Sequence, residues 1–346
     1  MDFTKKDTGI GKGIAICLMI IHHLFNTRAR ILEGNSYIPL LVFKDIEIHI
    51  ARFGKICVAS FIFLSGYGLY LSFQKSDKNI AVYVINKLKK FYPVFWAQFI
   101  VFVPIGYLLY SNVTIIGQDT LRYVYDFKVI LLSLFGLSSR FNGAWWFVTL
   151  YLELLILVFP IYYYLINKNI KAFFIFNAIL FLISYNLDIN INLLLYQTSF
   201  AFGMFCAKYS VFSKPLIIKA DKLNVAGIVA VICISVFLRF TMGAIYDFIL
   251  APVFIYSSIR LIKYCKMDTV FHFLGKYSFP MWINHNFFAL YFFQSIMFYP
   301  KYSPLIVLSV IVTSLISSMI IEKVRITFWS RLTKSNLKPQ QGNYIP

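Results

Sequence analysis

Histidine is scarce in this chain, five residues in 346, yet His22, His23 and His285 all fall inside long apolar runs. An ionisable side chain surrounded by lipid is costly, so each is a functional candidate by default. Imidazole can take a proton from a hydroxyl near neutral pH, or carry an acyl group transiently. Lys12 precedes His23 by eleven residues, which on a helix is about 20° past three full turns and about 16 Å along the axis. One helix would then aim a cation near one end and an imidazole deeper down at a common cavity. His22 would point about 80° aside at ~100° per residue. The plainer alternative is a snorkelling lysine and a histidine bonded to a neighbouring helix.

Three further groups carry potential chemistry. Glu153 is the one acid deep in an apolar run, and a buried carboxylate must be protonated or paired. Lys87-Leu88-Lys89-Lys90, just before Phe91-Tyr92-Pro93, reads either as a positive membrane anchor or as a clamp for phosphates. Ser65-Gly66-Tyr67-Gly68 places two glycines in an apolar segment, for close helix packing or for backbone approach to a ligand. Cys17, Cys57, Cys206, Cys233 and Cys265 have no paired spacing, so neither a disulfide framework nor a metal site is expected.

These residues need a scaffold of membrane helices. Hydrophobic residues make up 60% and charged residues 14%, against roughly 45–50% and 25% in soluble domains. A soluble enzyme and a disordered chain are both excluded. Apolar segments at about 9–25, 53–73, 91–111, 145–166, 172–185, 193–209, 225–242, 245–263, 279–298 and 304–322 predict ten spans. The stretch 129–137 is too short to cross and reads as a re-entrant or interfacial helix. With the N-terminus inside, 23 of the 33 lysines and arginines fall on the cytoplasmic side and the loop 186–192 has none. The expectation is therefore an all-α, polytopic single domain over 1–346, N-in and C-in, with spans over about 9–325 and a short cytoplasmic tail at 326–346. The +19 net charge is explained by this asymmetry and not by nucleic acid. No fixed-period repeat of the kind seen in many transporters is present.

Together the motifs resemble membrane acyltransferase family 3, whose members modify bacterial surface sugars. Lys12 and His23 fit its basic residue and histidine in the first helix, and Phe61 to Tyr67 fits its Ser-Gly-aromatic element. Lys87 to Lys90 with Tyr92-Pro93, the 145–153 segment, and Leu274 to His285 fit three more, in family order. The resemblance implies transfer of an acyl group, usually acetyl, from cytosolic acyl-coenzyme A to a hydroxyl of an extracytoplasmic glycan, in a bacterial cell membrane and without a metal. It implies catalytic roles for His23 and Glu153, and donor contacts from Lys12, Lys87, Lys90 and Ser65. His22, Arg52, Arg140, Trp146 and His285 would serve the acceptor side or support the site. Lysine replaces the family's commoner arginine at 12, 87 and 90, and lysine lacks the bidentate fork for phosphate. Some relatives carry a fused extracytoplasmic domain, whereas this chain is expected to act alone or with a separate partner. The competing class is a polysaccharide exporter or flippase without acyl chemistry; an acyltransferase for a lipid, peptidoglycan or small-molecule acceptor is another.

Overall fold

The computed structural model describes residues 3–41, 46–115, 117–186, 192–215 and 223–332. Within them the fold is all-helical, with no strands beyond two isolated bridges. Every one of the ten apolar segments forms helix. The first, α1 (Lys5–Phe25), opens on a capping box in which Thr4 and Asp7 exchange bonds of 3.0 and 3.2 Å. α2 (Ile46–Gly54) and α3 (Ile56–Gln74) follow almost collinearly, and α4 (Ile80–Leu109) runs through Pro93 and Pro104. The segment expected at the interface is α5 (Phe127–Leu134), eight residues long and largely exposed. α6 (Trp146–Glu153) passes through a π-helical turn, Leu154–Val158, into α7 (Phe159–Lys168).

The second half comprises α8 (Ile170–Asn186), α9 (Asn192–Lys208), α10 (Val225–Met242), α11 (Asp247–Tyr264) and α12 (Asp268–Lys276). α13 (Ser278–Asn286) continues through a second π-helical turn, Phe287–Tyr291, to α14 (Gln294–Phe298) and α15 (Ser303–Leu332). Part of the anticipated tail, 326–332, belongs to α15; the remainder, like most of the loop 186–192, lies outside the described residues.

Among the described residues, seven helical stretches are long and apolar enough to cross a membrane: Lys5–Phe25, Ile46–Gln74, Ile80–Leu109, Gly143–Lys168, Val225–Met242, Ala244–Tyr264 and Ser303–Phe328. The other three expected spans are α8 and α9, each 17 residues, and the α13–α14 segment, which the π turn breaks. α1 and α3 lie at the centre of the bundle, whereas α10 and α15 turn most of their apolar surface outward.

Glycine sets the closest approaches. A Cβ at Gly66 would run into the Phe200 carbonyl, and one at Gly203 into the Phe63 carbonyl, so α3 and α9 touch backbone to backbone. Gly68 has open space beside it. The Ser65-Gly66-Tyr67-Gly68 element is therefore, at Gly66, a packing device. α1 meets α12 in the same way through Gly9, Gly13 and Gly275. At the opposite end of α3, a bidentate pair joins Arg239 to Asp247 at 2.9 and 3.1 Å across the α10–α11 turn. Arg239 also donates to the Arg52 carbonyl at 3.1 Å, pinning the α2–α3 junction.

Candidate functional site

His22 and His23 close the last turn of α1, where a cavity of about 660 Å³ opens. His22 uses both ring nitrogens for structure. Nδ1 donates to the Ala51 carbonyl at 2.7 Å, and Nε2 accepts from Asn26 Nδ2 at 3.4 Å. His23 is placed differently. It lines the cavity, and its ring stands 4.9 Å, edge to face, from that of His285 on α13.

The hydrogen bonds assign the protons on this pair. His285 Nδ1 faces two carbonyls, Met281 at 3.1 Å and Trp282 at 2.9 Å, so that nitrogen carries the hydrogen. Its Nε2 is then a lone pair, fully buried and without a hydrogen-bond partner. His23 Nδ1 lies 3.3 Å from Arg30 Nη1, which can only donate, so neutral His23 keeps its hydrogen on Nε2. The two rings are in edge contact, and no hydrogen bond joins their nitrogens.

Irregular helix geometry holds this arrangement. The Phe287 N–H turns back to the Asn284 and His285 carbonyls at the start of the π turn. The Ile283 carbonyl instead accepts from Asn142 Nδ2 at 2.8 Å and Trp145 Nε1 at 3.0 Å. Trp282 Nε1 returns a bond of 3.3 Å to the Ala144 carbonyl, and its ring stacks on Phe147 at 4.0 Å. π-helical turns inside helices frequently mark functional sites. Here the turn ties the His285 helix to the start of α6.

The cavity wall is basic. Arg30, Arg52, Lys55 and Arg122 line it with Asn26, Trp146, Asn286 and Tyr291, and no Asp or Glu does so among the described residues. Arg30 Nη1 also reaches the His22 carbonyl at 3.3 Å and the His23 carbonyl at 3.4 Å. Burial lowers the Arg30 guanidinium from its ordinary value, though arginine keeps its charge. Arg122 is buried, lies 4.1 Å above the Tyr291 ring and donates to the Arg140 carbonyl at 2.9 Å. Arg140 itself does not line the cavity; it bonds the Leu121 carbonyl and holds Arg122 in place.

A second basic cluster occupies the other end of α1. Lys12 is buried and feels the charges of Lys87 on α4 and of Lys5, while Lys90 acts on Lys87. Lys87 also lies 5.2 Å over the Tyr83 ring. A narrow crevice of about 20 Å³ is lined by Ser65, Tyr151, Phe279 and Trp282. Ser65 adjoins Leu64, which meets Gly11 beside Lys12, and Trp282 lies one turn from His285. The crevice lining thus holds one residue next to a neighbour of the Lys12 turn and another one turn from His285.

Of the sequence-derived candidates, the structure brings His22, His23, Arg52 and Trp146 to one cavity with His285 directly behind. Lys12, Lys87 and Lys90 gather at the opposite end. Glu153, seven residues beyond Trp146, is half-buried, outside the cavity lining, and makes no hydrogen bond or ion pair with a described residue. Arg30, Lys55, Arg122, Asn286 and Tyr291 were not anticipated. Arg30 follows His23 by only seven residues in the sequence, but a loop position carries no periodicity to show which way it faces.

These features define a helical membrane protein with a buried histidine pair between two basic ends. The family model for the acyltransferase domain matches residues 9–323, so the chain belongs to that acyltransferase family, the one its motifs resemble. No curated protein and no solved structure matches it.

Proposed function

We propose that this acyltransferase is an O-acyltransferase, moving acetyl from acetyl-coenzyme A in the cytosol to a hydroxyl of an extracytoplasmic glycan at a bacterial cell membrane. The observation that carries the reading is the position of His23. It lines a solvent-reaching cavity on one side, contacts His285 on the other, and shares its helix with Lys12 at the far end. In the proposed topology the chain crosses ten times with both termini inside, so the Lys12 end faces the cytosol. The polyanionic donor docks on Lys5, Lys12, Lys87 and Lys90, and its thioester arm follows the Ser65–Trp282 crevice. Membrane lipid surrounds the outer helices.

In the transfer the acceptor oxygen forms a bond to the acyl carbon, the carbon–sulfur bond breaks, and the thiolate leaves. The hydroxyl proton goes to the His23 side of the pair, and a proton returned from there neutralises the departing thiolate. Arg30 must leave His23 Nδ1 for that nitrogen to accept the proton. Glu153 has no part in this scheme. Purified protein given acetyl-labelled coenzyme A tests it. Label should leave the thioester for an oxygen ester in the wild type and stay on the thioester in His23→Ala. Glycan transport with no thioester consumption would instead establish an exporter.

A further inference from the structure

The protein neutralises a buried arginine where the role is structural. Arg239 is matched by both oxygens of Asp247. The two arginines of the cavity that flank the histidines and Tyr291, Arg122 buried and Arg30 half-buried, are treated otherwise. Arg122 rests on an aromatic face and one carbonyl, its Nε is fully buried with no partner, and no ion pair joins it to an acid. Arg30 spends one nitrogen, Nη1, on two carbonyls and His23, again with no carboxylate. Arg52 and Lys55 complete the wall from the α2–α3 junction, both exposed. Four cations from three separate segments therefore converge, and none of them forms an ion pair with an acid among the described residues. Leaving buried charge unmatched is costly, and arginine forks suit planar carboxylates and phosphates.

We infer that the acceptor is an anionic glycan, whose carboxylate or phosphate binds between Arg122, Arg30, Arg52 and Lys55 and presents a neighbouring hydroxyl to His23. This rests on the O-acyl transfer reading above. The cavity volume falls within the usual range of about 300–1,000 Å³ for ligand sites. An anion drawing Arg30 towards itself would also release His23 Nδ1, so that the base becomes available when a correct acceptor is bound.

Three probes separate the chemistries: a galacturonate tetrasaccharide, the same tetrasaccharide with its carboxyl groups reduced to alcohols, and a glycerol phosphate oligomer. Their binding to the purified full chain is measured by calorimetry. At least one acidic probe should bind about tenfold or more tightly than the reduced tetrasaccharide, and added salt should weaken it. The stronger acid identifies carboxylate or phosphate as the natural group. Arg52→Gln/Lys55→Gln, on the exposed rim where folding is not at stake, should weaken that binding about tenfold, and Arg122→Gln further. Equal binding of the reduced probe, no binding of either acid, or an unaltered affinity in the rim variant overturns the inference. Thioester consumption measured on the same protein keeps the two readings apart. Anion binding without His23-dependent transfer would remove the transferase reading and leave the anion site. Transfer to neutral acceptors alone would do the reverse.

Discussion

His23 and His22 are adjacent in sequence and opposite in role. His22 commits both nitrogens to Ala51 and Asn26, whereas His23 faces the cavity with His285 behind it. His23→Ala should therefore lower kcat for acyl transfer by about 10²–10⁴-fold, the usual worth of a positioned base, with normal membrane insertion. His22→Ala should cost less activity and more thermal stability. Rates normalised to correctly folded protein, with melting midpoints alongside, check both. The phase of Lys12 and His23 was legible because a helix converts spacing into direction. Arg30 and Arg122 were not, because loops convert nothing. Glu153 shows the same limit in reverse: an apolar run shows that a residue is in a helix, not how much of its side chain the neighbours cover, and this carboxylate is only half-buried.

At the level of elements, two close crossings hold α1 and α3, and each depends on absent side chains. Gly66→Leu should separate α3 from α9 and lower the melting midpoint in detergent sharply, whereas Gly68→Ala, with open space, should be neutral. Arg239→Gln leaves Asp247 buried and unmatched and should cost about 3–5 kcal/mol. A combined Arg239→Met/Asp247→Leu variant should recover much of that loss. That the apolar segments form helices was readable from their length, and seven helical stretches among the described residues are long and apolar enough to cross a membrane. In the segment expected at 279–298 a π turn breaks the helix between α13 and α14; it places His285 and frees the Ile283 carbonyl for Asn142 and Trp145. Hydropathy cannot register such a turn, since Phe287–Tyr291 is as apolar as any regular helix.

On the scale of the whole molecule, the two basic ends should separate in their kinetics. Lys12→Ala and Lys87→Ala/Lys90→Ala should raise the KM for acetyl-coenzyme A and leave that for the acceptor unchanged; Arg52→Gln should do the opposite. Each exposed or partly hydrated charge is worth about 0.5–1 kcal/mol by analogy with exposed ion pairs, so the pair of rim lysines should cost between about fivefold and thirtyfold. Orientation can be checked with single cysteines at 89 and 33 in a background without the five native ones. Position 33 should label from outside intact cells and position 89 only after permeabilisation.

The central claim is that His23 joins a donor arriving from the Lys12 end to an acceptor in the basic cavity. The most direct measurement places the purified protein in sealed vesicles, with labelled acetyl-coenzyme A supplied only on the Lys89 side and acceptor glycan only on the other. Label should appear as oxygen ester on the acceptor side, at a rate that falls by at least about 10²-fold in His23→Ala. Undiminished transfer in that variant, or transfer that requires donor and acceptor on the same side, would contradict the account.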